Sequence, residues 1–365
     1  MQNLTRASEE LFRRGPDERF GSLMELWQHC QNEKQHAVEH WPSPQSLRPN
    51  CQPGAVVLRL DTDREFHLND WSFSQLCRLA RVSKDTLNRL TPETASRALQ
   101  ETLPTEGKPL QILSAGETVR AIHGTAYTRL YNADLLTMLR EFATDFQPPQ
   151  EAAEGLGPPA VADDVPPWET PDSPSRSSGG TGLYCGEQDM FCFLIDPAGW
   201  TEIGGEAFAP GFFVWNSEVG SRTVGIETFW FQAVCQNHIV WDAVEVVQFS
   251  RKHTTNVHES LAEIRRTIET LVARRDARRD GFAKVIQRAM ETRLGDDAEE
   301  VRKVLAQQGI TRTLVKKAME VAQQNGAFTI FSLVDALTRI GGTLLYAGER
   351  MELDQKAAQL LALAV

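Results

Sequence analysis

The residues best suited to chemistry form a basic, hydroxyl-rich run at 251–256, Arg-Lys-His-Thr-Thr-Asn. Two cations, Arg251 and Lys252, stand directly before the imidazole of His253. The hydroxyl of Thr254 follows, just ahead of a segment with helical periodicity. Cations and hydroxyl groups in front of a helix are typical of phosphate-binding sites. The run therefore predicts a phosphate contact, and the alternative is a solvated basic turn without a ligand.

Two further polar candidates precede this run. Arg222 follows a Gly-Ser turn at 220–221, and Asn237 ends a Cys-Gln-Asn triplet that begins at Cys235. Asn237 either lines a groove together with the basic run or hydrogen-bonds the backbone at a strand end, which is the usual role of a buried amide. Both interpretations stay open at the level of the sequence.

A pair of arginine doublets at 274–275 and 278–279 places Arg274 and Arg278 on one face of a helix. Arginines that face a nucleic acid contact phosphates and give a salt-sensitive affinity. Aspartates at 276 and 280 partly neutralise this face, so a salt-bridged solvent surface is the alternative. The complete set of candidate nucleic-acid-binding residues is Arg222, Asn237, Arg251, Lys252, His253, Thr254, Arg274 and Arg278.

Aromatic side chains are concentrated in the same part of the chain. They include Phe213, Trp215, Trp230 and Trp241. Exposed rings of this kind stack on nucleic-acid bases. Because aromatic residues also favour half-buried strands, we expect most of these rings to be buried in a sheet.

The sequence predicts no metal site, no cofactor and no catalytic residue. His253 and His258 are five residues apart, a spacing that does not put both side chains on one helical face. Cys235 lies in an apolar run, where thiols are usually buried and inert. The chain has no Gly-rich phosphate loop, no HExxH motif and no paired-carboxylate signature. These observations favour a non-enzymatic role.

Composition limits the partners and the location. The chain has 365 residues, of which 41% are hydrophobic and 24% are charged, as in ordinary globular proteins. Its net charge of -11 argues against a uniformly basic nucleic-acid binder, although a local basic patch still binds. The sequence has no apolar run of transmembrane length, and its N-terminus lacks the apolar core of a signal peptide. We therefore expect a cytoplasmic protein without a membrane partner.

The residue pattern divides the chain into four segments and predicts an α+β fold. Residues 1–146 alternate short strands with helices, among them a helix pair at 72–90. Residues 147–182 are rich in Pro, Gly, Ser and acid, which predicts a disordered insertion. Residues 183–256 form a β-rich part that carries the polar motifs. Residues 257–365 are helical and begin, if the helix is continuous, with one of roughly 35–40 residues.

Two local patterns in the N-terminal segment carry specific expectations. The helix pair at 72–90 is superficially similar to a DNA-binding helix-turn-helix, but helix pairs of this length are mostly packing units. Asn132 precedes leucines at helical spacing and has the side chain of a good N-cap, so we expect it to cap that helix.

Four stretches, in order along the chain, carry a family resemblance. They are RAIHGTAYTRLYNADLL (120–136), NSEVGS followed by VCQNHI (216–221 and 234–239), RKHTTNV (251–257) and SLVDALTRIGG (332–342). These stretches resemble the motifs of the phage- and plasmid-associated proteins that are grouped as domain of unknown function 932. The resemblance implies a mobile-element setting and a shared fold, and it supplies no biochemical activity.

Three positions depart from the family pattern. Gln232-Ala233 stands where the family often has an Arg before its Val-Cys pair, His238 stands where it tends to have Thr, and Asp335 stands where it has Asn. If the family's Arg contacts an anion, that contact is in doubt in this chain.

Two functions from different classes follow from these patterns. The leading hypothesis is a non-enzymatic protein that binds single-stranded DNA or RNA and serves replication, recombination or repair of a phage or plasmid. The alternative is an oligomeric interaction or scaffold protein of a mobile element without nucleic-acid contact. The local basic clusters favour the first, and the acidic net charge favours the second. The first hypothesis requires the basic residues to share one face.

Overall fold

The computed structural model describes residues 17–60, 64–154, 182–232, 238–241, 247–324, 328–344 and 346–364. In chain order, the described strands are β1 Glu18–Arg19, β2 Ala37–His40, β3 Arg48–Gln52, β4 Ala55–Arg59, β5 Glu65–Leu68, β6 Leu110–Ala115, β7 Thr118–Gly124, β8 Leu183–Cys185, β9 Met190–Ile195, β10 Thr201–Ile203, β11 Glu206–Asn216, β12 Val224–Gln232, β13 His238–Trp241 and β14 Gln248–Arg251. The described helices are α1 Leu23–His36, α2 Asp70–Ala80, α3 Lys84–Asn88, α4 Pro92–Thr102, α5 Asn132–Phe142, α6 Pro149–Glu154, α7 Ser260–Ala273, α8 Arg275–Glu291, α9 Ala298–Gln307, α10 Arg312–Gln324, α11 Ile330–Gly342 and α12 Ala347–Leu361. Helices and strands in this order make an α+β fold, as the sequence predicts.

A six-stranded sheet occupies the N-terminal part, in the order β2-β6-β7-β5-β4-β3. Its neighbouring strands are antiparallel except for β5 and β7, which run parallel. Helix α2 begins at a capping box in which Asn69 and Ser72 exchange hydrogen bonds, and Ser83 caps α3. Helices α2 to α4 bury their apolar faces against this sheet. The helix pair at 72–90 therefore has a packing role, because its leucines lie in the core rather than on an exposed recognition face.

An eight-stranded antiparallel sheet forms the second layer, with the path β1-β8-β9-β11-β12-β13. Strand β10 extends it beside β11, and β14 pairs with the first half of β12. Alternating residues of β11 enter different cores, since Phe212 and Val214 pack with α5 and α7 while Phe213 and Trp215 pack on the opposite face. Helices cover both faces, so β11 and β12 are apolar almost throughout.

Because both faces of the sheet are covered, most of its aromatic side chains are buried. Phe213 and Trp230 are fully buried, and Trp215 is 6% exposed. Trp230 stacks on Phe282 of α8 with ring centroids 4.1 Å apart. These three rings therefore serve the core and are not available to nucleic-acid bases, whereas the side chain of Trp241 lies outside the described residues.

The long C-terminal helix of the sequence analysis is two helices. Helix α7 ends at Ala273 and α8 begins at Arg275. Arg274 between them has φ -107° and ψ 13°, which departs from helical geometry and turns the chain. Helix α7 packs with α5 against Val224 and Ile226, while α8 packs further along the same face of the eight-stranded sheet, against Trp230. The turn at Arg274 therefore separates the helical segment of the first core cluster from that of the second.

Part of the segment predicted as an insertion is ordered. Gln147 exchanges two backbone hydrogen bonds with Ile195 of β9, at 2.9 and 2.8 Å. Helix α6 follows and buries Ala152 against the sheet. Pro149 lies against Gly182, where an added Cβ would be 3.0 Å from the proline Cδ. The boundary at 147 is therefore too early, and the rest of the predicted insertion, 155–181, lies outside the described residues.

Two deletions test this boundary. Replacing 155–181 by a short Gly/Ser linker should leave the thermal midpoint nearly unchanged, because the composition offers little apolar surface to bury. Extending the deletion to 147–181 should lower the free energy of unfolding by about 2 kcal/mol, because two backbone hydrogen bonds and a buried side chain are lost. Chemical denaturation of both variants measures the difference. Equal stability of the two variants would show that Gln147 and α6 contribute nothing.

Within the described residues, no helix combines the length and apolarity needed to cross a membrane.

Candidate functional site

The turn between β11 and β12, residues 216–221, is the centre of the site. Ser217 closes the turn, because its Oγ accepts the Ser221 backbone N–H at 2.9 Å. The Ser221 hydroxyl in turn donates to the Gln188 carbonyl at 2.9 Å. Gly220 has φ 73°, a left-handed conformation that side chains other than glycine rarely adopt. Asn-Ser-x-x-Gly-Ser thus encodes a tight and internally bonded turn.

Side chains of the N-terminal part hold the backbone carbonyls of this turn. The Tyr127 hydroxyl donates to the Glu218 carbonyl at 2.9 Å, and the Arg129 Nη1 donates to the same oxygen. The His123 Nε2 donates to the Val219 carbonyl at 2.9 Å. Since the turn belongs to the eight-stranded sheet and its donors follow or belong to β7, these bonds join the two sheets.

The Glu218 side chain adds a buried charge to this junction. Its Oε2 lies 3.2 Å from the Arg120 Nη1, and only 2% of the side chain is exposed. Its Oε1 accepts the backbone N–H of Asn132 at 2.8 Å, at the first turn of α5. Burial raises the pKa of Glu218, and the Arg120 guanidinium opposes that rise.

The cap of α5 therefore differs from the prediction. Asn132 is the first helical residue, and Tyr131 before it makes no side-chain cap bond. The Asn132 Oδ1 accepts from the Asn216 Nδ2 at 2.8 Å instead. The carboxylate of Glu218 takes the capping role, since a negative charge is favourable at a helix N-terminus.

Three aromatic rings stack at the junction. His123 lies parallel to Tyr127 with ring centroids 3.7 Å apart, and Tyr127 lies over His253 at 5.4 Å. A Cβ added at Gly220 would lie 2.7 Å from the His123 ring, so only glycine fits there. The stretch 120–127, the turn 216–221 and the run 251–256 consequently meet in one place.

Both histidines of the stack are held neutral. Burial lowers the pKa of His123 to about 4, and the Arg129 charge contributes. Burial likewise lowers the pKa of His253 to about 4. Neither ring nitrogen of His253 makes a hydrogen bond of normal geometry among the described residues, and an interaction with the Thr128 backbone opposes the lowering of the His253 pKa.

An open cleft of about 430 Å³ lies beside this stack. The run 251–256 adjoins it, because the Thr128 backbone N–H donates to the His253 carbonyl at 3.2 Å. The residues that line the cleft are Lys34, Glu39, Gln111, Tyr127, Thr128, Arg129, Tyr131, Asp134 and His258.

The formal charges in the cleft nearly cancel. The Arg129 Nε lies 2.8 Å from the Glu39 carboxylate, and the Lys34 ammonium lies 2.6 Å from that of Asp134. Two buried polar atoms are left over, the Arg129 Nη2 and the Gln111 Oε1, which find no partner in the part of the chain that the structure describes. Both atoms are buried behind the surface of the cleft.

The predicted basic run lies at the edge of this cleft. Arg251 bonds to Glu259 at 2.9 Å, which partly neutralises it. Lys252 and Thr254 are exposed, whereas His253 is buried in the ring stack. The run thus divides between exposed groups that face solvent and one ring that fixes the loop.

The remaining predicted residues are elsewhere. Arg222 follows the central turn, but its Nε is held at 2.8 Å by the buried carboxylate of Asp189. Arg274 is exposed at the far end of α7, a helix about 21 Å long that begins after the run at 251–256. Arg278 is buried, with 6% of the residue exposed. Asn237 lies outside the described residues. Of the predicted set, Lys252 and Thr254 are exposed close together, whereas His253 and Arg278 are buried and Arg274 lies at the far end of α7.

The sequence analysis missed most of the cleft. Arg120 and Tyr127 lie in a stretch that carries the family resemblance, so a signal for them existed. Arg129 lies in the same stretch, whereas Lys34 and Gln111 lie in ordinary helical and strand contexts and reach the cleft only through folding. Among the described residues, no group of three or more His, Cys, Asp or Glu side chains is placed to hold a metal ion.

Comparison with protein families gives one match. Residues 196–344 match the model described as Domain of unknown function (DUF932). The match confirms the family resemblance for this region, which is less than half of the chain and contains the central turn and the basic run. The N-terminal sheet, which supplies Arg120, Tyr127 and Arg129, lies outside it. Comparisons with curated proteins and with solved structures found no match.

The unsatisfied imidazole allows a specific test. In His253→Phe the ring stack is preserved and no hydrogen bond of normal geometry is lost, so the free energy of unfolding at pH 7 should be equal to that of the wild type or higher. The folded pKa of His253 is lowered to about 4 from 6.5, so its stabilising contribution is present above pH 6.5 and is lost as the pH falls toward 4.

At pH 5 this linkage amounts to about 2 kcal/mol for one histidine. Between pH 7 and pH 5 the free energy of unfolding should therefore fall by about 2 kcal/mol more in the wild type than in His253→Phe, as measured by urea denaturation. Parallel pH profiles for the two proteins would contradict the assignment of a buried, neutral His253.

Proposed function

We propose that this protein is a non-enzymatic, single-stranded nucleic-acid-binding protein that acts in replication, recombination or repair of phage or plasmid DNA in the cytoplasm. The observation that carries the proposal is the position of the basic run. His253 stacks on Tyr127 and thereby fixes the exposed Lys252 and Thr254 near the rim of an open cleft.

The rim supplies groups suited to phosphate. Lys252 is an exposed cation, and Thr254 contributes an exposed hydroxyl. His258, also exposed, lines the cleft from the same segment. Cationic and hydroxyl side chains of this kind make most phosphate contacts in nucleic-acid complexes. Such contacts position a strand without reading its sequence.

The cleft supports a single strand rather than a duplex. Its volume of about 430 Å³ accommodates one flat ring with its substituents. Both faces of the Tyr127 ring are covered by imidazoles, so Tyr131 is the tyrosine of the cleft that can stack on a base. Stacking on an aromatic side chain requires an unstacked base, which a single strand offers and a duplex does not.

Binding should depend on salt and on the rim cation. A labelled single-stranded oligonucleotide should bind in fluorescence anisotropy at low salt, with an affinity that falls steeply as salt is added. Lys252→Ala should weaken binding of all base sequences similarly and reduce the salt slope by about one unit.

Lys317→Ala is the matched control, because this exposed lysine lies on α10 among the C-terminal helices. Arg274→Ala shows whether the binding surface extends along α7. No binding at micromolar protein, or equal losses in Lys252→Ala and Lys317→Ala, would refute the proposal.

A second function is favoured by a different observation, an apolar edge of the N-terminal sheet. Strand β2 ends the sheet, and its outer side pairs with no described strand. Val38 on this strand is 48% exposed and Trp41 directly after it is 52% exposed. Exposed edge strands pair with other chains, and apolar side chains strengthen such pairing. This edge supports the alternative of a homo-oligomeric scaffold.

The exposed edge at β2 can be tested by measuring the molecular mass of the protein in solution. If β2 mediates self-association, light scattering should show an oligomer for the wild type, and Val38→Lys with Trp41→Ser should shift it toward the monomer. Met24→Ser is the control, because Met24 is 43% exposed and lies on α1 rather than on the strand. A wild type that is monomeric at high concentration would exclude this scaffold.

A further inference from the structure

Two thiols from distant parts of the chain meet between α1 and the eight-stranded sheet. Cys30 lies on α1 and Cys185 lies on β8, and their Sγ atoms are 4.0 Å apart. We infer that these two cysteines form a reversible disulfide bridge when hydrogen peroxide oxidises the protein, with His29 as the acceptor of the thiol proton. This redox site does not depend on the proposed nucleic-acid binding.

The distance between the two sulfurs is that of thiols in contact. A disulfide bond requires a separation of about 2.05 Å, so the sulfurs must approach each other by about 2 Å. Rotation of the cysteine side chains and a small shift of α1 cover a movement of this size. The pair can therefore be oxidised within the fold that the reduced protein already has.

An imidazole and a carboxylate stand beside Cys185. The side chain of His29, on α1, hydrogen-bonds the Cys185 thiol, and this contact raises the pKa of His29 while burial opposes the rise. The His29 Nδ1 lies 3.8 Å from the Glu18 carboxylate, and Glu18 is directly opposite Cys185 in the pairing of β1 with β8. A nucleophile, a base within hydrogen-bond reach and a third group beside the base are the parts of an activated thiol.

Both thiols are buried at rest, but the layer that covers Cys185 is thin. Contact with Cys30 and burial raise the pKa of Cys185, while His29 opposes the rise, so the pair persists as neutral thiols until His29 takes a proton. The covering groups are the partly exposed His29 and strand β1, which has two residues and ends the sheet path. Short end strands open more easily than a core, and such local opening admits a molecule as small as peroxide.

The reaction balances with hydrogen peroxide as the oxidant. His29 accepts the proton of Cys185, and the thiolate forms an S–O bond as the O–O bond of peroxide breaks. The leaving hydroxide takes the proton from His29 and departs as water. Cys30 then attacks the sulfenic sulfur, the S–S bond forms as the S–O bond breaks, and a second water leaves with the Cys30 proton. Two thiols are oxidised, and one peroxide is reduced to two waters.

The bridge fastens α1 to the sheet. It joins residues 155 positions apart in the sequence, so it restricts the unfolded chain strongly. Lys34, which lines the cleft, is four residues after Cys30 and therefore lies on the same side of α1. Thiol exchange reverses the bridge and releases the helix.

The test uses the full-length protein under native conditions. After exposure to hydrogen peroxide, the remaining thiols are alkylated and the protein is digested and analysed by mass spectrometry without reductant. Peptides joined through Cys30 and Cys185 should appear, and dithiothreitol should separate them. Cys192 on the neighbouring strand β9 is the internal control, because burial alone raises the pKa of its thiol. It should remain reduced.

Two variants separate the roles of the residues. In Cys30→Ser, oxidation should stop at the sulfenic acid of Cys185, which dimedone traps. His29→Gln should slow formation of the bridge by about tenfold or more, because the proton acceptor is lost while both sulfurs remain. The matched control is His36→Gln, in the last turn of the same helix, which should oxidise at the wild-type rate.

The wild type alone decides whether the bridge forms, so an unstable variant does not prevent an answer. Absence of the Cys30–Cys185 peptide from the native protein, or oxidation of Cys192 as fast as that of Cys185, would overturn the inference. A rate of bridge formation in His29→Gln equal to that in His36→Gln would also overturn it.

Discussion

The buried ion pair between Glu218 and Arg120 is the interaction on which the rest of the structure depends. Glu218 belongs to the turn between the two central strands of the eight-stranded sheet, and Arg120 belongs to the N-terminal sheet. Removing one partner of such a pair leaves an uncompensated buried charge, which typically costs about 3–5 kcal/mol. The same carboxylate caps α5 and the same turn supports the ring stack, so one residue links the two sheets, a helix terminus and the candidate site.

The charges explain why the site differs from a simple basic patch. Most cations of the chain near the site are already paired with carboxylates, Arg129 with Glu39 and Lys34 with Asp134. The acidic net charge of the chain is consistent with this local compensation. The exposed Lys252 is therefore the cation of the run 251–256 that has no carboxylate partner among the described ion pairs.

Local patterns in the sequence were sufficient to predict most helices and strands, but they were not sufficient to predict the candidate site. The caps at Asn69 and Ser83 bond to residues three positions later, so they depend only on local sequence. The prediction that Asn132 caps α5 was wrong, because the capping group is the carboxylate of Glu218, which is 86 residues away in the sequence. The helix break at Arg274 was missed because helical residue patterns continue on both sides of it. The cleft combines α1, β2, β6 and α5, and no short motif spans them.

The non-local cap of α5 also has a consequence for how the chain folds. The backbone N–H of Asn132 donates to the side chain of Glu218, so the first turn of α5 is capped only when the hairpin of β11 and β12 has formed and docked. Contacts between residues far apart in sequence are made slowly, because a long loop must close before they contribute. During synthesis, the N-terminal sheet would therefore emerge with one helix end still unsatisfied, and docking of the later hairpin would be the step that makes the junction cooperative.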